Sequence, residues 1–169
     1  DFPPSGWIRN SLSPLQWGQT SLASYSGAAC AARGNSSDFI NIGTAYDFDL
    51  PIIDLTGVVN PALYFKHAYT NYPGRNDSLR ILISSDCGVT WQSIFYKGGN
   101  ALRTIPAASY DYFYPADGSQ WKSDTISLAA YSGEVLIRFR SINGHGNNLF
   151  IDDVSIDQST VGIDVVAID

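Results

Sequence analysis

The 169-residue sequence has no long apolar stripe at helical spacing with capping residues at its ends, which argues against a helical domain. What recurs is short alternating runs of apolar and polar residues, separated by Gly, Pro, Asn, Asp and Ser, a pattern typical of antiparallel strands. We predict strands at 24–30, 48–55, 62–70, 78–84, 89–95, 122–128, 134–142 and 148–156. Eight short strands at this spacing predict an all-β fold, either a sandwich or a jelly roll.

Charged residues are also scarce, at 15% of the chain, a low value for a cytosolic protein, and they leave a net charge of -6. An acidic chain is a poor partner for nucleic acid or for an anionic membrane surface, so we expect neither. No apolar run is long enough to span a membrane and no signal peptide is recognisable, so we expect no membrane insertion. The abrupt start at "DFPPSGW" suggests a fragment or a processed module.

Cysteine and histidine occur only twice each. Cys30 and Cys87 could form one disulfide or remain two separate thiols, and their spacing does not suit zinc. His67 lies in an alternating run, where a core or cross-strand role is expected, and His145 lies in a Gly/Asn-rich turn. Neither an H-E-x-x-H nor a G-x-S-x-G motif is present, so we expect no enzymatic activity from this module.

The stretch "SSDCGVTW" at 84–91 matches the Asp-box pattern S-x-D-x-G-x-T-W, known from sialidase propellers. A propeller needs one such unit in every blade of about 40–50 residues, whereas this chain has a single copy. The Asp86 side chain can accept backbone N–H groups, and Gly88 tolerates positive φ. We interpret the motif as an architectural β-hairpin turn with Trp91 packed over it.

Several stretches together carry a resemblance to a known family. In chain order they are "FPPSGW", "DFDLPIIDLTG", "ALYFKHAYTNY", "DSLRILISSDCGVTW", "KGGNALRT" and "QWKSDTISLAAYSGEVLIRFRSINGHGNNLFIDDVSI". The chain resembles the MAM-like jelly-roll modules of secreted Bacteroidota proteins, which are related to the cleaved-adhesin domains of gingipains and to choice-of-anchor modules. The resemblance implies an antiparallel β-sandwich with jelly-roll topology at 1–156, followed by a linker or edge segment at 157–169.

The same resemblance implies a function. Such modules are secreted or cell-surface accessories without catalytic activity, and they sit beside the catalytic domain of a parent protein, a peptidase or a glycoside hydrolase. We therefore expect a binding or adhesion module whose ligand is a glycan or an extracellular protein. The alternative is a protein-binding or purely structural spacer attached to a secreted peptidase.

Four carboxylates are candidate metal ligands. Asp152 and Asp153 are adjacent on a predicted strand and therefore point to opposite faces, while Asp47 and Asp49 share one face. Hard oxygen ligands of this kind suit calcium. The resemblance implies a structural calcium that joins the first strands to the last one, with Asp153 and Asp47 as ligands ahead of Asp49 and Asp152. Solvated or capped carboxylates are the alternative.

Two sets of side chains are candidates for ligand binding. Exposed aromatic rings that stack on sugars are the usual feature of glycan sites, and an extended loop would present three tyrosines on one side: Tyr110, Tyr112 and Tyr114. Anchoring of that loop to the sandwich is the alternative. A second candidate surface is a sheet face for an acidic ligand, or merely a solvated face, formed by Arg138 and Arg140 together with Arg80 and Lys66.

Overall fold

The computed structural model describes residues 3–9, 16–34 and 39–158. Within these ranges the chain forms eleven strands and two short 3-10 turns, Gly99–Ala101 and Gly118–Gln120. The strands are β1 Ile8–Arg9, β2 Gly18–Thr20, β3 Cys30–Gly34, β4 Ala45–Asp49, β5 Ile53–Asp54, β6 Pro61–Tyr69, β7 Ser78–Ser84, β8 Gln92–Gly98, β9 Lys122–Ser127, β10 Glu134–Ile142 and β11 Asn148–Gln158.

The strands form two sheets. The first sheet has the order β1-β4-β10-β7-β8, with β5 also paired to β10, and the second has the order β2-β3-β11-β6-β9. Every pairing between the described strands is antiparallel. The chain crosses repeatedly from one sheet to the other, as in a jelly roll. The predicted all-β antiparallel sandwich is confirmed.

Most predicted strands occur close to their expected positions, and the exceptions have local causes. The predictions for β7 and β10 match the observed bounds, whereas β8 starts three residues late because the Asp-box turn extends to Trp91. The strand predicted at 48–55 is broken, since Pro51 lacks the N–H that a continuing ladder needs. The strand predicted at 24–30 is wrong: residues 24–29 form bends and irregular structure, and β3 begins at Cys30.

The main core lies between the sheets and is dominated by aromatic rings. Phe48 of β4 stacks on Phe139 of β10 at a centroid distance of 4.9 Å, and Phe65 of β6 meets Phe139 edge-on at 5.3 Å. The buried Trp17 ring packs edge-on against Phe48 and donates its N–H to the Tyr46 carbonyl oxygen at 2.9 Å. Phe65 thus ties the second sheet to the first.

A smaller cluster covers the outer face of the second sheet. Leu149 and Ile151 of β11 point into the main core, so Phe150 between them points outward. The long β8–β9 connection folds back over it and buries Phe113 and Trp121 against the same ring. This packing holds the β8–β9 connection against the outer face of the second sheet.

The Asp-box is a β7–β8 turn, as predicted. Asp86 accepts hydrogen bonds from the Thr90 N–H at 2.9 Å, the Thr90 hydroxyl at 2.5 Å and the Ser84 hydroxyl at 2.7 Å. These bonds lower the pKa of Asp86 to about 2, with the Thr90 hydroxyl contributing most. The Trp91 ring closes the turn by donating its N–H to the Gly88 carbonyl oxygen at 3.0 Å.

Of the alternatives for the two cysteines, the structure shows separate thiols. Cys30 is buried on β3 of the second sheet, and Cys87 is exposed in the Asp-box turn of the first sheet. Burial, followed by the nearby charge of Asp152, raises the pKa of the Cys30 thiol to about 12, so that thiol is unreactive.

The predicted boundary near residue 156 can be compared only in part. Strand β11 continues to Gln158, and residues 159–169 of the predicted linker or edge segment lie outside the described residues. Among the described residues, no helix is long and apolar enough to cross a membrane.

Candidate functional site

Four connections meet at one end of the sandwich, because β3, β6, β8 and β10 end there and β4, β7, β9 and β11 begin there. Hydrogen bonds tie these connections to one another. Gly43 donates to the Asn143 carbonyl oxygen at 2.7 Å, and Ser109 donates to the Asn71 carbonyl oxygen at 3.1 Å. We call this region the loop end.

A buried carboxylate organises the loop end. Asp77, just before β7, is fully buried and accepts three backbone N–H groups of the β10–β11 turn, from Gly144 at 2.7 Å, Gly146 at 3.0 Å and Asn147 at 3.0 Å. The Tyr69 hydroxyl donates a fourth hydrogen bond at 3.0 Å. Burial raises the pKa of Asp77 above its usual value, although these bonds act in the opposite direction.

The two glycines of this turn are needed for close approach. A Cβ at Gly144 would lie 2.0 Å from the Asn76 carbonyl oxygen, and one at Gly146 would lie 2.1 Å from the Asp77 carboxylate. A side chain at Gly144 would displace the backbone at Asn76, and one at Gly146 would displace the hydrogen-bonded Asp77 carboxylate and Tyr69 hydroxyl. The sequence "NGHGNN" therefore allows the turn to wrap closely around Asp77 while His145 projects from its tip.

Asn147 fixes the long β8–β9 connection to the same turn. Its amide oxygen accepts the Phe113 N–H at 2.8 Å, and its amide nitrogen donates to the Asp111 carbonyl oxygen at 2.8 Å. A third bond, from the Thr70 hydroxyl to the Ala107 carbonyl oxygen at 2.7 Å, anchors the connection from the other side. Residues 107–113 are thus held in place on a frame of polar side chains.

The result is an aromatic cavity of about 350 Å³, lined by Tyr72, Tyr110, Asp111, Tyr112 and His145. The Tyr72 and Tyr110 rings are perpendicular, at 89° and a centroid distance of 5.1 Å, while the Tyr72 and His145 rings are parallel within 8°. Tyr110 and Tyr112 are 72% and 65% exposed, so their rings are available to a ligand. We call this site the loop-end cavity.

The structure brings together two of the three tyrosines that were predicted to bind a ligand. Tyr110 and Tyr112 line the loop-end cavity, but Tyr114 does not, because its ring leans towards Phe150 on the second sheet at a centroid distance of 6.0 Å. Phe113, between Tyr112 and Tyr114, is buried against the same Phe150 ring. Sequence reasoning did not combine Tyr72 or His145 with this loop, although both lie in short turns rich in Gly, Pro and Asn that signalled the ends of strands.

The sheet face that carries Arg138 and Arg140 belongs to the first sheet, and both arginines pair with carboxylates. Arg138 makes two bonds to Asp49, at 2.7 and 2.8 Å, and Arg140 makes two bonds to Asp47, both at 2.8 Å. The Arg138 guanidinium also stacks on the Trp91 ring at 4.0 Å. These contacts indicate that ion pairs stabilise this sheet face and that its two arginines are not free to bind an acidic ligand.

Lys66 is not part of that face, contrary to the sequence-based grouping. It lies on the outer side of the second sheet, where its amine donates to the Ser123 hydroxyl at 2.6 Å and sits 4.2 Å from the centre of the Tyr25 ring. Arg80 does lie on the first sheet, beside Tyr96 of the neighbouring strand.

The predicted pairing of Asp47 with Asp153 at one calcium needs correction. Asp47 and Asp49 point away from the core on the first sheet and are engaged by arginines, whereas Asp152 and Asp153 lie on β11 of the second sheet. Within the described residues, no group of three or more His, Cys, Asp or Glu side chains could hold a metal ion. A calcium site formed by Asp152 and Asp153, without Asp47 or Asp49, remains a prediction.

Asp152 and Asp153 sit at a bulge where β11 shifts its register against β6. Asp152 accepts the Tyr25 and Ser26 N–H groups at 2.6 and 3.2 Å, and Asp153 accepts the Ser26 hydroxyl. Asp153 has a φ of 48°, a left-handed conformation that is uncommon outside glycine. Asp152, Asp153 and Gln19 line the adjoining cleft of about 190 Å³ together with Cys30 and apolar side chains, and their carboxylate and amide oxygens are the hard ligands that calcium prefers.

His67 has the core role that was expected. It is fully buried, with Nδ1 2.9 Å from an Asp124 carboxylate oxygen and Nε2 3.1 Å from the Leu102 carbonyl oxygen. Lys97 pairs with the other oxygen of Asp124. Burial alone would raise the pKa of Asp124, but the bonds from His67 and Lys97 outweigh it and hold that pKa below its usual value.

No family model and no curated protein matches the sequence, but solved structures do match the fold. The K1 cleaved adhesin domain of Lys-gingipain from Porphyromonas gingivalis W83 is 14% identical, with a TM-score of 0.59 over 92% of each chain. TmCBM61, solved in complex with β-1,4-galactotriose, is 12% identical, with a TM-score of 0.55 over 91% of this chain and 89% of its own. The chain shares their fold. The expected likeness to cleaved-adhesin modules is thereby confirmed at the level of architecture.

A third match is the CBM22-1 xylan-binding domain from Paenibacillus barcinonensis Xyn10C, which is 10% identical, with a TM-score of 0.52 over 91% of this chain and 86% of its own. At identities this low, the three matches show a common β-sandwich and no more. The ligand must be argued from the side chains at the loop end.

Proposed function

We propose that this chain is a non-catalytic binding module that takes a glycan in the loop-end cavity, as an accessory to the catalytic domain of a secreted or cell-surface protein. The observation that carries the proposal is the set of exposed tyrosine rings beside free polar groups, positioned on an anchored frame. Sugar rings bind proteins by stacking their apolar C–H faces on aromatic rings while their hydroxyls bond to neighbouring polar atoms. Tyr110, Tyr112 and Asp111 supply both kinds of contact.

A rigid site favours such binding. The backbone that carries the tyrosines is fixed by Asn147 and Thr70, and the turn that carries His145 is fixed by Asp77. A preorganised site loses little conformational entropy when a ligand binds. The matched structures add support, because the names of TmCBM61 and of the CBM22-1 domain state that those proteins bind glycans.

The proposal that the module is not an enzyme rests on the placement of its titratable groups. His67 and Asp124 form the most obvious acid-base pair, but His67 is fully buried and both its ring nitrogens have partners, so a substrate cannot reach it. Asp117, the acidic neighbour of Asp111 in the same connection, caps the Gly118–Gln120 turn through the Ser119 N–H at 2.8 Å. It does not face Asp111 across the loop-end cavity.

Glycan binding is tested by screening the module on a glycan array and measuring the affinity of any hit by calorimetry. Alanine at Tyr110 or Tyr112 should weaken binding roughly fivefold to tenfold each, since one stacked ring contributes on the order of 1 kcal/mol. Tyr96→Ala is the matched control, because Tyr96 is 59% exposed but lies on β8 and does not line the cavity. Binding that survives both cavity variants, or that is lost with Tyr96→Ala, would place the site elsewhere.

We also propose that calcium stabilises the module through Asp152 and Asp153. A ligand that binds only the folded state stabilises it by about 2.7 kcal/mol at a hundredfold excess over its Kd. For a domain of this size, that corresponds to a rise in Tm of roughly 5–11 °C. The test compares melting in calcium and in a chelator. Asp153→Asn should abolish the difference, whereas Asp54→Asn, at an exposed turn carboxylate, should leave it unchanged.

A protein ligand is the second candidate, favoured by a different surface. Ile8 and Ile52 are 58% and 64% exposed, and they border an apolar cavity of about 250 Å³ together with Leu136. Exposed apolar side chains grouped in this way are typical of protein contact sites. If the array gives no glycan hit and Ile52→Lys abolishes association of the module with the rest of its parent protein, the spacer or protein-binding function is preferred.

A further inference from the structure

We propose that the loop-end cavity selects glycans that carry a free ammonium group, so that its ligands are amino sugars without an N-acetyl group. This inference rests on the proposed glycan binding and specifies its chemistry. Three features support it: the arrangement of the aromatic rings, the carboxylate of Asp111 and the charges around the cavity.

The rings form walls rather than a flat platform. Tyr72 and Tyr110 meet at 89°, with centroids 5.1 Å apart, and Tyr112 and His145 complete the lining. A flat platform suits the broad face of a neutral sugar. The edge-to-face contact of Tyr72 with Tyr110 leaves no continuous platform, but the largely exposed rings of Tyr110 and Tyr112 can attract an ammonium group through the negative charge of their faces.

Asp111 adds a negative charge whose bonding capacity is unused. Its backbone is fixed on both sides, since its N–H donates to the Ser109 hydroxyl at 3.0 Å and its carbonyl oxygen accepts from Asn147 at 2.8 Å. Its carboxylate, in contrast, makes no hydrogen bond or ion pair within the described parts of the chain. An exposed carboxylate held rigidly among tyrosine rings is well placed to accept an ammonium donor from a ligand.

No Lys or Arg side chain among the described residues lines the cavity to oppose the binding of a cation. Arg75 lies on the same connection as Tyr72 but is exposed and does not line the cavity. The chain as a whole carries a net charge of -6. A uronic or sulfated sugar would therefore meet repulsion here, while a cationic sugar would be attracted both at long range and on contact.

The test measures the affinities of the intact module for tetrasaccharides of β-1,4-linked glucosamine and of β-1,4-linked N-acetylglucosamine at pH 7. The free amine should bind on the order of tenfold more tightly, which corresponds to about 1.4 kcal/mol. Raising NaCl from about 0.05 M to about 0.5 M should reduce that ratio, because the ion pair is exposed to screening.

Two variants separate the cavity from general electrostatics. Asp111→Asn should bring the affinity ratio of the two tetrasaccharides close to one. Asp117→Asn removes the same charge from the same connection, but outside the cavity, and should leave the ratio unchanged. If Asp117→Asn lowers the ratio as much as Asp111→Asn does, net charge alone explains the preference and the inference is overturned.

Other outcomes are equally decisive. Equal or weaker binding of the free-amine tetrasaccharide, with neutral glycans still bound through Tyr110, would overturn the selectivity but leave the proposed function intact. If no glycan binds, or if only a lysine-rich peptide occupies the cavity, the proposed function itself fails and this inference fails with it.

Discussion

Replacing Asp77 by Asn should destabilise the loop end, although Asp77 does not line the loop-end cavity. The Asp77 carboxylate accepts four hydrogen bonds, three of them from backbone N–H groups at 2.7–3.0 Å. An amide can accept at only one of the two positions. Its NH₂ group must then face either the Gly144 and Gly146 N–H groups together or the Tyr69 hydroxyl and the Asn147 N–H together.

The expected loss of stability follows from the number of hydrogen bonds that are broken or weakened. At least one buried N–H loses its acceptor, at about 1–3 kcal/mol, and the remaining bonds lose their charge assistance, which about halves their strength. The desolvation that raises the pKa of Asp77 is recovered in the neutral amide and offsets part of the loss. A net destabilisation of about 2–4 kcal/mol should lower Tm by roughly 4–16 °C in a domain of this size.

Urea and thermal unfolding measured by circular dichroism give the size of the effect, and amide hydrogen exchange gives its location. Exchange at Gly144, Gly146 and Asn147 should accelerate more than exchange in β10. Asp117→Asn is the control, because Asn caps a turn about as well as Asp and the unfolding midpoint of this variant should stay close to that of wild type. If Asp77→Asn is as stable as this control, the carboxylate does not organise the loop end.

Three further predictions concern the Asp-box and the cysteines. The stability advantage of wild type over Asp86→Ala should be present above pH 4 and disappear as the pH falls towards 2, because the folded-state pKa of Asp86 is lowered from 3.8 to about 2. Urea unfolding at several pH values measures this difference in stability, and a difference that does not change with pH would refute the prediction. Trp91→Ala should cost about 1–2 kcal/mol in chemical unfolding, since it removes a hydrogen bond and the stacking partner of a guanidinium, and an unchanged unfolding midpoint would contradict it. A thiol reagent should modify Cys87 in the native module but reach Cys30 only in denaturant, and mass spectrometry showing both modified natively would exclude the buried assignment.

The strands were predictable where one face alone is buried. Strand β10 alternates buried Val135, Ile137 and Phe139 with half-buried residues that include Arg138 and Arg140, and the period of two in the sequence gives its bounds directly. The edge strands β1 and β2 are only two and three residues long, so they carry no period. Strand β3 reads "CAARG", whose small residues give no clear alternation.

The site was predictable only in its exposed parts. The sequence indicated Tyr110 and Tyr112 because aromatic residues stand at every second position of a loop. The partners of Asp47 and Asp49 are arginines 93 and 89 residues away, and such pairing depends on sheet register, which is not visible locally. Asp77 was missed because one aspartate before a strand looks the same whether it is solvated or buried beneath a turn.

The polar frame under the loop end has a consequence for engineering. The groups that hold the backbone, such as Asp77 and Asn147, are buried, whereas the groups that face the cavity, such as Tyr110, Tyr112 and Asp111, project from already fixed positions. Randomising the projecting side chains should therefore change what is recognised without changing how the chain folds. The loop end could then serve as a variable surface for selecting new binders, in the way that antibody loops vary on a constant sandwich.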